Sequence, residues 1–197
     1  MSSPVARVQN TQNFQVSAST VEELAYGLAG GLGTKQLKMG DFYLVDSALV
    51  ADGTTPHYTN GPVISSGRHL KEKILELSKS TDLEKICPVQ AITGDAIYQE
   101  NDDFLNSAKA KGCDIVNLDS SHLFAVSIFN NEGEKIETIE CGVISDVTDG
   151  KGHDWDSNLS VMLSSNDTKN LNPLELTGKI VKFYVERLAQ ELLSRKG

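Results

Sequence analysis

Short apolar runs that each give way to a polar turn recur along this chain, and they limit what it can fold into. Ile86–Ile92 leads into Thr93-Gly94-Asp95, Cys113–Leu118 into Asp119-Ser120-Ser121, and Thr138–Ile144 into Ser145-Asp146. Between them lie stretches of helical period. Leu70, Ile74 and Leu77 recur among charged residues, and Phe104, Leu105 and Ala108 share one face of Asp102–Lys111, with Gly112 as its stop. Strands alternating with helices of this length specify an α/β fold around a mixed, largely parallel sheet. Such folds place ligand-binding groups where strands run into turns.

The remaining elements are set by local chemistry. Residues 1–20, rich in Ser, Thr, Gln and Asn, read as a loose arm or a weak edge strand, and residues 21–197 as a single domain. Leu24 to Gly33 runs from apolar residues into glycine, as a strand ending in a backbone-exposed turn does. Asp41–Val50 is a strand by its β-branched and aromatic content, and 51–66, with its prolines and glycines, is a loop. Asp119 or Ser120 caps a helix that continues to Asn130. Residues 146–170 form a long polar loop, and Asn172-Pro173 opens a C-terminal helix ending near Arg195.

A chain of 197 residues can bury a sizeable core as one domain. Its net charge of −9 argues against nucleic acid or an anionic membrane surface as partner, though a local site can differ in sign. No apolar run approaches membrane-spanning length, and the N-terminus lacks the layout of a secretion signal. Cys87, Cys113 and Cys141 lie beside apolar runs without metal or redox spacing, so they read as buried free thiols in a cytoplasmic protein.

Three polar turns carry the candidate chemistry. Thr93-Gly94-Asp95 sets a hydroxyl, an amide and a carboxylate at one sheet edge; Tyr98 adds a flat face, and Gln99 with Glu100 adds donors and acceptors. That set suits a planar heterocycle, whereas the plainer reading makes Asp95 a helix cap. Asp119 is either an N-cap or an acceptor for two neighbouring sugar hydroxyls. His122, within an apolar helix, reads as a packed core residue. Asp146 either caps the segment after it or, partly buried, donates a proton to a leaving group. The acidic, histidine-containing run from Asp146 to Asp156 fits no calcium or zinc spacing, so no metal is expected. Gly27 to Gly33 lacks the Lys-Ser/Thr of a nucleotide P-loop, and no Gly-x-Ser-x-Gly element is present.

Taken in order, these blocks resemble the nucleoside phosphorylase superfamily, most closely its uridine-phosphorylase-like branch. Tyr26 to Leu32 looks like its strand-to-glycine turn, and Met39-Gly40-Asp41 like its Gly-Asp before the next strand. Ala51 to Tyr58 is similar to its Gly-Thr-Ser-x-His-Tyr loop, Thr93 to Glu100 to its Thr-Thr-Asp-x-x-Tyr-Arg-Glu block, and Asn117 to Ala125 to its Asp-Met-Glu-Ser segment. Trp155 matches a tryptophan often found in that branch. The resemblance implies a three-layer α/β fold and reversible cleavage of a nucleoside by inorganic phosphate as co-substrate, with no other cofactor. By analogy Asp119 grips the ribose hydroxyls, Leu118 packs under the sugar, Thr93, Tyr98 and Gln99 meet the base, and Asp146 is the catalytic acid.

The chain departs from that pattern at the phosphate turn. The family reads Arg-x-Gly-Thr/Ser where this chain has Ala25-Tyr26-Gly27-Leu28, so Gly27 and Leu28 are a remnant without the arginine and hydroxyl that clamp phosphate. Gly27 also falls early, so the fold is expected to be incomplete at its N-terminal side. Two functions stay open: a pentosyltransferase completed by other contacts, or a non-catalytic relative that binds nucleosides or assembles with others. An α/β sheet lacking an outer layer exposes apolar surface, so a homo-oligomer, or a pairing with a full-length paralogue, is expected.

Overall fold

The computed structural model describes residues 20–80, 85–95, 101–129, 135–147, 178 and 181–195. Its longest strands are β1, Thr20–Gly31, and β6, Lys135–Val147. They pair in parallel from Thr20↔Lys135 to Gly31↔Val147, with a bulge between Ala29 and Gly30. The strands β2 (Phe42–Val50), β4 (Ile86–Thr93) and β5 (Ile115–Asn117) also run parallel, β2 beside β4 and β4 beside β5. Antiparallel contacts join β5 to β1 and β6 back to β2. The pairing therefore returns to its start, and the mixed central sheet closes into a ring through short contacts, two residue pairs between β1 and β5 and three between β6 and β2.

The stretch 51–66, read as loop, holds more structure than its prolines and glycines suggested. Thr55–His57 is a turn of 3₁₀ helix, and Val63–Ser65 forms β3, an antiparallel edge strand on β2. Three residues carry too little pattern to be seen against the flanking prolines, and it is the waiting edge of β2 that recruits them.

Helices flank the sheet as their apolar faces require. Helix α1, Arg68–Ser80, buries Leu70, Ile74 and Leu77 against Phe42, Leu44, Ile139 and Val143. A π-helical segment, Val181–Leu188, runs into the C-terminal helix, here α4 (Ala189–Ser194), and adds Phe183, Tyr184, Leu188 and Leu192 to that layer. The Phe42 and Phe183 rings sit 4.1 Å apart. Helix α2, Asp102–Ala110, starts on the Asn101 side chain, which accepts the Phe104 N–H, and ends where Gly112 adopts φ of 81°. It packs Leu105 and Ala108 over Ile92, Cys113 and Val116. Helix α3, Ser120–Phe129, covers the other side, placing Phe124 and Ala125 with Tyr43, Val45, Val89 and Ile144.

Other expectations shift in detail. Strand β6 continues through Asp146 to Val147, so these two residues belong to the strand and not to the loop expected from 146, and 148–170 lie outside the described residues, as do Trp155 and the Asn172-Pro173 helix start. The N-terminal arm, residues 1–19, also lies outside them. Cys113 and Cys141 are buried free thiols, but Cys87 is only half-buried. Among the described residues no helix is long and apolar enough to cross a membrane.

Candidate functional site

Thr93 and Asn117 end β4 and β5 as direct partners, so the two strands deliver their last side chains to one level. The Gly94 N–H donates to the Asn117 carbonyl at 3.0 Å, which ties the two exits together. The Thr93 hydroxyl is fully engaged: it donates to Asn117 Oδ1 (3.1 Å) and accepts the Ser121 N–H (3.0 Å). Thr93, rather than Asp119, thus satisfies one of the open amides at the start of α3. Because it is buried and used in this way, it supports the site from beneath.

Two residues separate β5 from α3, Leu118 half-buried and Asp119 exposed. The Asp119 backbone carbonyl accepts the Leu123 N–H, but among the described residues no group hydrogen-bonds its carboxylate. That carboxylate faces Gly27 of β1: a Cβ on Gly27 would stand 3.9 Å from Asp119 Oδ2 and 4.0 Å from Glu140 Oε1. Gly27 and Leu28 do not form a turn. They lie inside β1, where Gly27 pairs with Gly142, and the glycine turn comes later, at Gly33 with φ of 74°. The β-ladder with β6 keeps β1 extended through Gly31, overriding the weak strand preference of its glycines.

Glu140 anchors the polar cluster behind Asp119. Its Oε1 accepts from Tyr43 Oη (3.2 Å) and Asn117 Nδ2 (3.0 Å), and its Oε2 from Ser120 Oγ (2.5 Å). Burial pushes its carboxyl up to about 7; the Ser120 bond pulls the other way, the Asp119 charge adds to the rise, and the Tyr43 and Asn117 bonds oppose it. Burial and the neighbouring Glu140 push the Tyr43 phenol well above its ordinary value.

A second buried carboxylate fixes the loop after β2 against α3. Asp52 accepts from the amides of Thr54 (2.9 Å) and Thr55 (2.6 Å), from Thr55 Oγ1 (2.8 Å) and from Ser121 Oγ. Burial alone would raise its pKa, but the bonds from Ser121, Thr55 and Thr54 outweigh that and hold it below the usual carboxylate range. Asp95, beyond β4, accepts the Gly53 N–H on both oxygens at 3.0 Å, closing the same loop from the other side.

Asp146 is not brought to this cluster. Its carboxylate accepts from Ser145 Oγ (2.7 Å) and lies beside Gly30, where a Cβ would meet Asp146 Oδ2 at 3.4 Å and Val116 Cγ1 at 3.1 Å. Val116 faces the α2 layer and its neighbour Asn117 the opposite side, as alternation along a strand demands. The bulge after Ala29 reverses the parity of β6, which places Asp146 on a different face from Glu140. Tyr98 and Gln99 lie outside the described residues.

Asn117, Tyr43, Asp52 and Glu140 were not singled out from the sequence, and Ser120 only as a helix cap. A signal for Glu140 existed, namely a carboxylate inside the otherwise apolar run Ile139–Ile144. His122 is half-buried rather than core. Its Nδ1 is buried without a partner among the described residues, at a cleft of about 300 Å³ lined also by Glu23, Leu123, Val126, Ser127 and Ile136. Among the described residues no three His, Cys, Asp or Glu side chains cluster as metal ligands.

No family model matches the chain. It is similar to the uncharacterized protein R802 of Acanthamoeba polyphaga mimivirus, 30% identical over 165 residues, covering 78% of this chain and 61% of that protein. Similar solved structures include purine nucleoside phosphorylase from Toxoplasma gondii in complex with immucillin-H, with a TM-score of 0.62 at 19% identity over 88% of this chain and 64% of that one. The P. knowlesi homologue of P. falciparum PNP gives 0.60 at 16% identity, over 87% and 63%. AMP nucleosidase from Bacteroides thetaiotaomicron gives 0.54 at 19% identity, over 63% and 53%. The chain thus spans less than two thirds of the length of each of these proteins. The likeness establishes the fold, a mixed α/β architecture of the nucleoside phosphorylase type.

Proposed function

We propose that this chain binds a nucleoside at the β4–β5–α3 junction, with Asp119 accepting hydrogen bonds from the sugar hydroxyls. The observation that carries this reading is an exposed carboxylate left without a hydrogen-bond partner among the described residues, held at a strand exit by a buried polar scaffold. A carboxylate is the acceptor best suited to two adjacent hydroxyls. Leu118, beside it, offers an apolar contact to the sugar ring. The fold shared with nucleoside phosphorylases and nucleosidases supports the same ligand class.

The reaction that fits such a site is cleavage of the glycosidic bond, as phosphorolysis to free base and ribose 1-phosphate where phosphate is held. Nothing along β1 favours that hold, because Thr20–Gly31 contains no Lys or Arg and Leu28 stands where a hydroxyl would be useful. Charge-assisted donors to a dianion are worth several kcal/mol, on the order of 3 or more, so their loss weighs on turnover before it weighs on nucleoside binding. A binding role without catalysis is therefore the second reading. The uridine-phosphorylase-like resemblance rests on the Ala51–Tyr58, Thr93–Glu100 and Asn117–Ala125 blocks together, and the Thr55 hydroxyl of the first contacts Ser121 Oγ at 2.9 Å.

The test measures release of free base from uridine, inosine and adenosine, with and without phosphate, beside thermal stabilisation by each nucleoside. Turnover supports the enzyme, stabilisation without turnover supports the binding role, and neither response at high protein concentration rejects both.

A further inference from the structure

Glu140 reaches both ends of the short turn that carries Asp119. Asn117 is the last residue of β5 and Ser120 the first of α3, and only Leu118 and Asp119 lie between them. Glu140 Oε1 accepts from Asn117 Nδ2 at 3.0 Å and Oε2 from Ser120 Oγ at 2.5 Å, while Asn117 Nδ2 also donates to Ser120 Oγ at 2.6 Å. One carboxyl thereby staples strand exit to helix start, and the turn between them is held from both ends. On the open side, Asp119 Oδ2 and Glu140 Oε1 approach the same point above Gly27, at 3.9 and 4.0 Å from where a Cβ would be.

We propose that Glu140 is a positioning residue for nucleoside binding: its bonds to Asn117 and Ser120 hold Asp119 over Gly27, and its ionisation sets a second negative charge beside Asp119, which displaces that carboxylate and weakens binding. The proposal rests on the nucleoside reading above. The groups facing Glu140 support the direction. From β2 comes the Tyr43 hydroxyl, with Tyr184 of the C-terminal π-helical segment behind it; from the β5–α3 turn comes Asp119; on β1 Gly27 lies beside both carboxylates, and the Cys141 thiol, next along β6, is pushed up by burial and by the Glu140 charge. No Lys, Arg or His among the described residues donates to Glu140, so a negative charge there meets no countercharge and has Asp119 as its nearest anion. Three donors favour the anion, burial and Asp119 oppose it, and the balance falls at about 7, within reach of ordinary conditions.

The experiment tracks backbone amide resonances of the full chain, wild type and Glu140→Gln, between about pH 5.5 and 8.5, a window that brackets the midpoint. Nucleoside affinity, read by inosine- and uridine-induced stabilisation, is measured at both ends of that window. Amides from Asn117 to Ser121 are expected to titrate together near neutrality in the wild type and to stay flat in Glu140→Gln. Wild-type affinity is expected to fall about tenfold towards the alkaline end, and the variant's to remain constant. Turn resonances that ignore pH, or that move equally in both proteins, overturn the proposal, as does a titrating turn with pH-independent affinity. A turn that titrates as expected in a chain binding neither nucleoside at either pH upholds the staple and rejects the nucleoside reading instead.

Discussion

Two glycines face each other across the β1–β6 ladder, Gly27 and Gly142, and the structure assigns them opposite sensitivities. A Cβ on Gly142 would come within the 3.0 Å that real Cβ atoms respect of three atoms: the Gly27 carbonyl oxygen and Cζ and Oη of Tyr43. Neither neighbour can yield cheaply. The carbonyl belongs to the backbone of a paired strand, and Tyr43 is fully buried with its hydroxyl on Glu140. Overpacking of this kind costs about 1–3 kcal/mol, and displacing Tyr43 and the Gly142 carbonyl endangers two more hydrogen bonds worth about 1 kcal/mol each. One of these is Tyr43 to Glu140, the other Tyr184 Oη to the Gly142 carbonyl at 2.9 Å. Gly142→Ala is therefore expected to lose about 3–5 kcal/mol, a large part of a typical domain's stability. Gly27→Ala meets only ordinary contacts at 3.9 and 4.0 Å and should stay within about 1 kcal/mol of wild type, while crowding the space in front of Asp119. Urea unfolding of the three proteins, with the slopes compared, measures both. A Gly142→Ala midpoint equal to wild type, or equal losses at the two positions, would refute the packing argument.

Stability should also depend on pH through Glu140. Its carboxyl is raised in the fold from 4.5 to about 7, so the proton is held in both states below about 4.5, where the contribution is complete. As pH rises the unfolded chain releases the proton first, and about 3 kcal/mol is lost by the time the folded pKa is passed. The unfolding free energy of wild type minus that of Glu140→Gln, measured across this range, should fall by that order; a flat difference would show that Glu140 is not the group responsible. Asp119→Asn should abolish nucleoside-induced stabilisation while leaving the unliganded melting temperature within a few degrees, and retained stabilisation would move the sugar site elsewhere. Asn101→Ala removes the cap that accepts the Phe104 N–H at 3.0 Å and should cost about 1 kcal/mol in chemical denaturation. No measurable loss there would mean that water replaces the cap.

Local pattern carried most of the elements. The periodicity of Leu70, Ile74 and Leu77 marks α1, the Gly112 stop bounds α2, and the β-branched and aromatic content of Phe42–Val50 marks β2, because each signal acts between residues a few positions apart. The turn bearing Leu118 and Asp119 was legible for the same reason. Pairing was not. That β1 lies parallel to β6, that β6 closes on β2 and that three residues after Pro62 become an edge strand are outcomes of contacts between distant segments. Glu140 shows the difference most plainly. As a residue of the chain it is one of three carboxylates along β6, with Glu137 and Asp146; only the fold sets it between Tyr43, Asn117 and Ser120, removes it from water and turns it towards Asp119. Desolvation and charge proximity are properties of three-dimensional neighbours, so tertiary structure alone decided which carboxylate is stapled inside and which is left exposed at the strand exit.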